Sequence, residues 1–144
     1  MIVGTEWLIE AFDCEAESLR DAATMQNIFA RIIADLSLKI VGVPQWHKFG
    51  GEAGITGLTM LTESHLACHT YPEYGTATFN LYCCRARPEW NWTENLAAML
   101  GAQTVKVTKI ERGAQTEFKI PNTEQENPKS KIKNPNSKFV GGEI

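Results

Sequence analysis

Neither an excess of basic residues nor a long apolar run is present in this sequence of 144 residues. Its 14 lysines and arginines are outnumbered by 17 aspartates and glutamates, which gives a net charge of −3. A nucleic-acid partner, which usually requires a basic surface, is therefore not expected. No apolar stretch approaches the roughly 18 residues that cross a bilayer, and the amino-terminal segment lacks the basic and apolar regions of a signal peptide. We expect a cytoplasmic protein that binds neither nucleic acid nor membrane.

The four cysteines form no CxxC pair and no zinc-ribbon spacing. In a reducing compartment such cysteines are free thiols, and most are buried as small apolar residues. Three of them lie in residues 63–84, E-S-H-L-A-C-H-T-Y-P-E-Y-G-T-A-T-F-N-L-Y-C-C, together with a serine, two histidines and two glutamates. This density of reactive groups on regularly alternating sequence makes the segment the candidate site.

Hydrophobic periodicity predicts one domain with the element order β-α-β-β-β-β-α-β. The six predicted strands span residues 5–12, 38–49 (interrupted near Gly42 and Pro44), 55–61, 64–71, 75–84 and 103–111. One helix is predicted from an Asp13 N-cap through an apolar stripe that ends at Leu36, and a second at residues 88–100. Short connections imply antiparallel pairing. We therefore predict an α+β fold, a two-layer α/β sandwich with a mainly antiparallel sheet and two helices on one face.

The composition changes near Pro121. Three of the six prolines lie in residues 121–144, among Asn, Lys, Ser and Glu, with few side chains to bury. We interpret residues 1–120 as the folded domain and residues 121–144 as a disordered tail.

Period-2 alternation assigns the side chains of the two central strands to opposite faces of the sheet. The apolar set should pack against the helices and comprises Leu66, Cys68, Phe79, Leu81 and Cys83. The polar set should lie on the open face and comprises His65, His69, Thr78, Asn80, Tyr82 and Cys84. Cys68 and Cys83 are thus interpreted as core residues. Ser64, His69 and Cys84 fall within one hairpin.

Two conventional chemistries could use the side chains of this hairpin. A Ser/His hydrolase lacks the G-x-S-x-G elbow and a third catalytic member. A zinc site made from His65, His69, Glu73 and Cys84 matches no familiar ligand pattern. A third possibility is backbone chemistry at Ser64 itself.

The run E-S-H-L-A-C-H-T-Y-P-E-Y-G, with a cysteine closing the next strand, resembles the prokaryotic S-adenosylmethionine decarboxylase proenzymes. The resemblance extends over roughly residues 4–118 and includes G-I-T-G before the motif and E-R-G after it. These are pyruvoyl-dependent enzymes of polyamine synthesis. The resemblance implies a lyase that converts S-adenosylmethionine to decarboxylated S-adenosylmethionine and CO2, the former being the aminopropyl donor for spermidine.

The resemblance also implies roles for individual residues. The chain would cut itself between Glu63 and Ser64, and Ser64 would become the pyruvoyl cofactor, whose carbonyl forms a Schiff base with the substrate amine. His69 corresponds to the processing histidine. Thr56 falls beside the processing site, at a position that is Ser in some relatives. Cys84 corresponds to the proton donor in decarboxylation.

The substrate side of the resemblance rests on three residues. Phe49 matches an aromatic residue that stacks on adenine, and Glu73 matches a carboxylate on the substrate side of the pocket. His65, which shares the open face with His69 and Cys84, is the third candidate. No metal is implied. Small members of the family form homodimers of processed two-chain subunits with active sites at or near the interface, which would occupy the open sheet face.

Two positions depart from the family pattern, since Cys83 is commonly Thr and an Asp is expected in place of Asn80. Two other functions stay open on the same scaffold. A pyruvoyl-dependent arginine decarboxylase would read guanidinium rather than adenine, and Phe49 favours adenine. A non-catalytic regulatory paralogue usually lacks the serine or the processing histidine, and both Ser64 and His69 are present.

Overall fold

The computed structural model describes residues 1–115, so the predicted tail and the end of the predicted domain lie outside the described residues. The strands are β1 (Gly4–Phe12), β2 (Gln45–Lys48), β3 (Ile55–Leu61), β4 (Ser64–Tyr71), β5 (Thr76–Cys83) and β6 (Thr104–Arg112). The helices are α1 (Ala16–Arg20), α2 (Ala22–Asp35) and α3 (Trp92–Leu100), and a 3-10 turn spans Pro72–Tyr74. All strands form one antiparallel sheet in the order β2-β3-β4-β5-β1-β6. The predicted α+β sandwich is confirmed.

The first predicted helix is wrong in its start and in its continuity. Asp13 has a φ of 52° and is no N-cap, and α1 instead follows Glu15. The carboxylate of Asp21 accepts hydrogen bonds from the Thr24 amide at 3.1 Å and from its hydroxyl at 2.6 Å. The first of these bonds makes Asp21 the N-cap of a new helix, α2, because it satisfies an amide group that a continuous helix would pair internally. Residues 1–115 therefore contain three α-helices rather than the predicted two.

Two further boundaries differ from the prediction. Of the predicted strand at 38–49, only β2 is regular, and the preceding residues contribute a single bridge between Ile40 and Leu61. The last helix begins at Trp92 because the Asn91 side chain accepts a hydrogen bond from the Glu94 amide at 3.2 Å. Within residues 1–115, no helix is both long and apolar enough to span a membrane.

The burial of β4 and β5 follows the predicted alternation. The five apolar side chains assigned to the helix side are all at most 3% exposed; they are Leu66, Cys68, Phe79, Leu81 and Cys83. Burial of a large apolar side chain contributes roughly 1.5–3 kcal/mol, and a one-residue slip would move the whole set to the open face. The apolar core therefore fixes the strand register, and with it the position of every polar side chain on the other face.

Two glycines in G-I-T-G are required by close approach of neighbouring groups. A Cβ at Gly54 would lie 2.6 Å from the carbonyl oxygen of Thr70. At Gly57 a Cβ would overlap the indole ring of Trp46, which packs directly on this backbone. Larger residues would push β3 away from its neighbours, so the two glycines hold Thr56, which lies between them, at a fixed place beside β4.

Candidate active site

The Glu63–Ser64 peptide bond lies where a tight turn enters β4. Leu61 and Ser64 are paired across the hairpin, so only Thr62 and Glu63 connect the two strands. Glu63 and Ser64 are half-buried at the end of the sheet. The bond is therefore accessible and held between two regular strands.

Three consecutive residues at the end of β5 each contact a different part of this peptide unit. The Cys84 amide donates a hydrogen bond of 2.8 Å to the carbonyl oxygen of Glu63. The Ser64 hydroxyl lies 3.4 Å from the sulfur of Cys83, within hydrogen-bonding distance. The guanidinium Nε of Arg85 lies 2.6 Å from the Glu63 carboxylate. The carbonyl, the hydroxyl and the flanking side chain are thus all fixed from one strand end.

The cysteines differ in environment. Burial raises the pKa of the Cys83 thiol above its ordinary value, although the contact with Ser64 opposes this shift. Burial likewise raises the pKa of Cys68 to about 12. Both thiols stay protonated at neutral pH, so Cys83 keeps an S–H group beside the Ser64 hydroxyl. Among residues 1–115, Cys84 is the one exposed cysteine.

A second group of the predicted residues lines an open cavity of about 560 Å³. Thr56 and His69 are opposite each other on β3 and β4, and their hydroxyl and Nδ1 atoms lie 3.2 Å apart. Phe49 is 54% exposed at the cavity, with its ring edge-on to His47 at a centroid distance of 4.5 Å. Glu73 completes the set. The volume of the cavity and the exposed ring of Phe49 suit a small-molecule ligand.

The structure separates these two groups. His69 follows Ser64 by five residues on β4, which is about 17 Å at a rise of roughly 3.4 Å per residue. Because five is an odd number of residues, the two side chains also point to opposite faces of the sheet. Ser64 lies on the helix side beside Cys83, and His69 lies on the open face. Ser64, His69 and Cys84 fall within the hairpin of β4 and β5, but they do not all meet there in a single chain. The Cys84 amide adjoins the Glu63–Ser64 bond, whereas His69 lies toward the other end of β4.

The same spacing bears on the two conventional chemistries. A hydrolase would need the Ser64 hydroxyl and the His69 ring within hydrogen-bonding distance, and they are far apart. His65 and His69 are four residues apart on β4, about 14 Å along the strand, which is too far for their rings to bind one zinc ion. Among the described residues, no group of three or more His, Cys, Asp or Glu is arranged to hold a metal.

Asn80 bridges charged groups on the open face. Its amide nitrogen donates to the Glu6 carboxylate at 2.8 Å, and its amide oxygen accepts from His65 Nε2 at 3.1 Å. Arg112 binds the other oxygen of the same carboxylate. The Asn80 and Arg112 donors together hold the pKa of Glu6 below its ordinary value, although burial opposes them. An Asp at position 80 would place a second carboxylate against Glu6. This accounts for the amide at a position where the resemblance implies Asp.

We expect Asn80→Asp to lower the free energy of unfolding at pH 7 by about 1–2 kcal/mol, since a donor is replaced by a like charge. Because the folded-state pKa of Glu6 is lowered, its contribution is present above the unfolded pKa, which is about 4.5, and is lost as the pH falls through the folded value. The difference in the free energy of unfolding between Asn80→Asp and the parent should therefore become smaller below about pH 4, where the carboxyl groups are protonated.

Urea denaturation at pH 7 and at pH 3.5 measures this difference. Asn27→Asp makes the same change at an exposed site on α2 and should alter stability by less than about 0.5 kcal/mol. Equal stability of Asn80→Asp and the parent at pH 7 would contradict the bridging role of Asn80.

Comparison with known proteins identifies the family. The family model described as S-adenosylmethionine decarboxylase matches residues 5–113. The chain belongs to the S-adenosylmethionine decarboxylase family. The match includes β1 to β6 and the Glu63–Ser64 turn, so the predicted resemblance is confirmed.

Individual relatives agree with this assignment. The S-adenosylmethionine decarboxylase proenzyme of Moorella thermoacetica is 33% identical over 112 residues, which cover 77% of this chain and 88% of the relative. That of Thermotoga petrophila is 31% identical over 120 residues, which cover 83% and 91%. The crystal structure of the adenosylmethionine decarboxylase from Aquifex aeolicus VF5 superposes with a TM-score of 0.68 at 21% identity, over 82% of this chain and 97% of that one. The last comparison supports the fold.

Within this S-adenosylmethionine decarboxylase fold, the structure adds contacts that the sequence reasoning missed. Burial confirms the prediction that Cys83 is a core residue, but Cys83 also contacts the Ser64 hydroxyl. Arg85 is not among the residues that the sequence predicts for the site. Arg85 lies two residues after the end of β5, where the sequence pattern does not indicate a partner. Its ion pair with Glu63 depends on how β5 aligns with the turn before β4.

Proposed function

We propose that this protein is a self-processing, pyruvoyl-dependent decarboxylase that converts S-adenosylmethionine to S-adenosylmethioninamine and CO2. The observation that carries the proposal is the geometry of the Glu63–Ser64 unit. The carbonyl that must be attacked accepts a backbone hydrogen bond from Cys84, and the attacking hydroxyl is fixed by Cys83. A role in supplying aminopropyl groups for polyamine synthesis follows from the product.

The residues present fit the formation of a pyruvoyl group at position 64. The Ser64 oxygen attacks the carbonyl carbon of Glu63, and the negative charge that develops on the carbonyl oxygen is stabilised by the Cys84 amide at 2.8 Å. The C–N bond then breaks and the hydroxyl proton passes to the departing Ser64 nitrogen, which converts the peptide to an ester with a free amine at Ser64. A donor already in place costs no reorganisation at the moment of attack.

The remaining steps break the ester and release nitrogen as ammonia. Loss of the Cα proton of Ser64 expels the Glu63 carboxylate and leaves a dehydroalanine end. This end takes up one water, releases ammonia and retains a ketone. The products are residues 1–63 with a free carboxylate and a chain from residue 64 with a pyruvoyl cap. A base must reach the Ser64 Cα, and His69 is our candidate because histidine exchanges protons readily near neutral pH.

The pyruvoyl group supplies an electrophilic carbonyl that accepts the electrons left when CO2 departs. The chain's own residues then have to hold the substrate and return a proton to carbon. Phe49 offers an exposed ring for adenine, and Glu73 lies on the same cavity. His65 lines a separate cavity of about 660 Å³ together with Ser64, and sharing a cavity with the bond to be cut supports our assignment of His65 to the substrate side.

We expect Cys84→Ala to self-cleave normally but to release CO2 at least about a hundredfold more slowly, since a positioned general acid typically contributes this much. The Cys84 amide that binds Glu63 is retained in the variant, whereas the exposed thiol is lost. Release of labelled CO2 from carboxyl-labelled substrate, with mass analysis of the amine product, measures the effect. Cys14→Ala removes a thiol that lies outside both groups of site residues and should match the parent. Full activity of Cys84→Ala with the correct amine would exclude the thiol as the proton donor.

The separation of Ser64 from His69 leads us to propose a homodimer. The open face carries exposed apolar side chains, including Leu8, Leu58, Met60 and Ile110, which a second copy would bury. In a face-to-face pair whose two-fold axis runs across the strands, the two ends of β4 lie over each other. His69 of the partner subunit then lies over the end of β4 that carries Ser64, and Ser64 lines a cavity together with the open-face residues Met60 and His65. Each complete site would contain residues of both subunits.

Intact-mass analysis of the purified protein tests the proposed function. Two fragments divided before residue 64, the second carrying a carbonyl that reacts with hydrazine, are expected. A single uncut chain of 144 residues without activity on S-adenosylmethionine would overturn the proposal. We keep the cytoplasm as the proposed location, which is supported by four free cysteines within the described part of the chain.

A further inference from the structure

We propose that Arg85 is a positioning residue for self-cleavage, acting through the side chain of Glu63. This inference rests on the proposed function, since it concerns the rate at which the Glu63–Ser64 bond is cut. Its basis is the ion pair of 2.6 Å between the Arg85 Nε and a Glu63 carboxylate oxygen.

The pair holds Glu63 from a second direction. The backbone carbonyl of Glu63 accepts a hydrogen bond of 2.8 Å from the Cys84 amide. Its side chain is held by Arg85, the residue that follows Cys84. Two adjacent residues thus restrain the carbonyl that Ser64 attacks. Because the turn between β3 and β4 contains only two residues, movement of the Glu63 side chain would readily turn its carbonyl away from the Cys84 amide.

Charge gives a second reason for the pair. The Glu63 carboxylate belongs to the same residue as the carbonyl oxygen that becomes negative during attack. Left unpaired, this carboxylate would raise the energy of the developing anion, and the Arg85 guanidinium offsets that repulsion. The Arg85 side chain is 73% exposed, so the pair adds little to global stability and its effect should appear mainly in the cleavage rate.

Cleavage is followed on newly made protein from a quenched pulse of cell-free translation. We expect Arg85→Gln to cleave about fivefold more slowly, the rate equivalent of about 1 kcal/mol. In a Glu63→Gln background, Arg85→Gln should change the rate by less than about twofold, because Arg85 acts through the carboxylate. Added salt should narrow the gap between Arg85→Gln and the parent. Lys109→Gln breaks a pair of the same 2.6 Å length with Glu89, away from the turn, and should cleave at the parent rate.

A second measurement does not depend on cleavage. In the uncut Ser64→Ala chain, Arg85→Gln should raise the hydrogen-exchange rate of the Cys84 amide about fivefold, since its acceptor is less restrained. Unchanged exchange, a parental cleavage rate, or an equal slowing in the Glu63→Gln background would each overturn the role of Arg85. If the parent chain itself does not cut, the proposed function fails, while the exchange measurement still decides whether Arg85 restrains the turn.

Discussion

Replacement of Ser64 by alanine should leave one uncut chain and abolish decarboxylation. The methyl side chain has no oxygen to attack the Glu63 carbonyl, so the ester cannot form and no carbonyl group appears at position 64. The structure predicts little change in folding, because the serine is half-buried and, among residues 1–115, its hydroxyl makes only the 3.4 Å contact with the Cys83 sulfur. We therefore expect complete loss of cleavage with a small change in stability.

Intact mass, reaction with hydrazine and CO2 release should be measured on the same preparations. Thr62→Ala is a suitable control because it removes an exposed hydroxyl from the same turn, two residues before Ser64, and it should cut normally. If Ser64→Ala were cut at residue 63, a protease in the preparation would explain the fragments and self-cleavage at Ser64 would be rejected.

Co-expression of two inactive variants should restore cleavage, and on only one of the chains. His69→Ala and Ser64→Ala should each stay uncut alone. In a mixed dimer, the His69→Ala chain keeps its own Ser64 and meets the intact His69 of the Ser64→Ala chain. Cleavage of the His69→Ala chain is therefore expected, up to about half of it if subunits pair at random.

Different affinity tags make the two chains distinguishable by mass. Pairing His69→Ala with the double variant Ser64→Ala/His69→Ala supplies the control, because no intact histidine is then present and no chain should be cut. Should the histidine act on its own chain, co-expression would restore nothing. That result would reject the dimeric site, and it would leave about 17 Å between Ser64 and His69 to be closed by another rearrangement.

Dimerisation of the two inactive variants can be measured separately from cleavage. The apolar residues of the open face, such as Met60 at 59% exposure and Leu58 at 48%, would be buried in the dimer whether or not the bond is cut. Both inactive variants should therefore still dimerise, which sedimentation or light scattering can verify before cleavage is scored.

Much of this protein was determined by the local sequence. Alternation within residues 64–71 and 76–83 is a period-2 signal, and burial of Leu66 and Phe79 on one face confirms it. The run from Glu63 to Gly75 is specific enough to identify the family before any fold is known. The break between α1 and α2 could not be predicted from the sequence, because the stripe of apolar residues continues past Asp21. Only the capping bond to Thr24 shows that a new helix begins there.

Only the tertiary structure decided how the site residues are distributed. Proximity in sequence suggested that Ser64 and His69 act together. An extended strand, however, rises by more than 3 Å per residue, so two residues five positions apart lie at opposite ends of β4. Contacts between Glu63 and Arg85, or between Ser64 and Cys83, depend on the register of β4 against β5. That register is fixed by burial of the whole sheet face, a long-range effect that no short segment contains. The sequence thus identified the family, and the fold placed the predicted site residues in two separate groups.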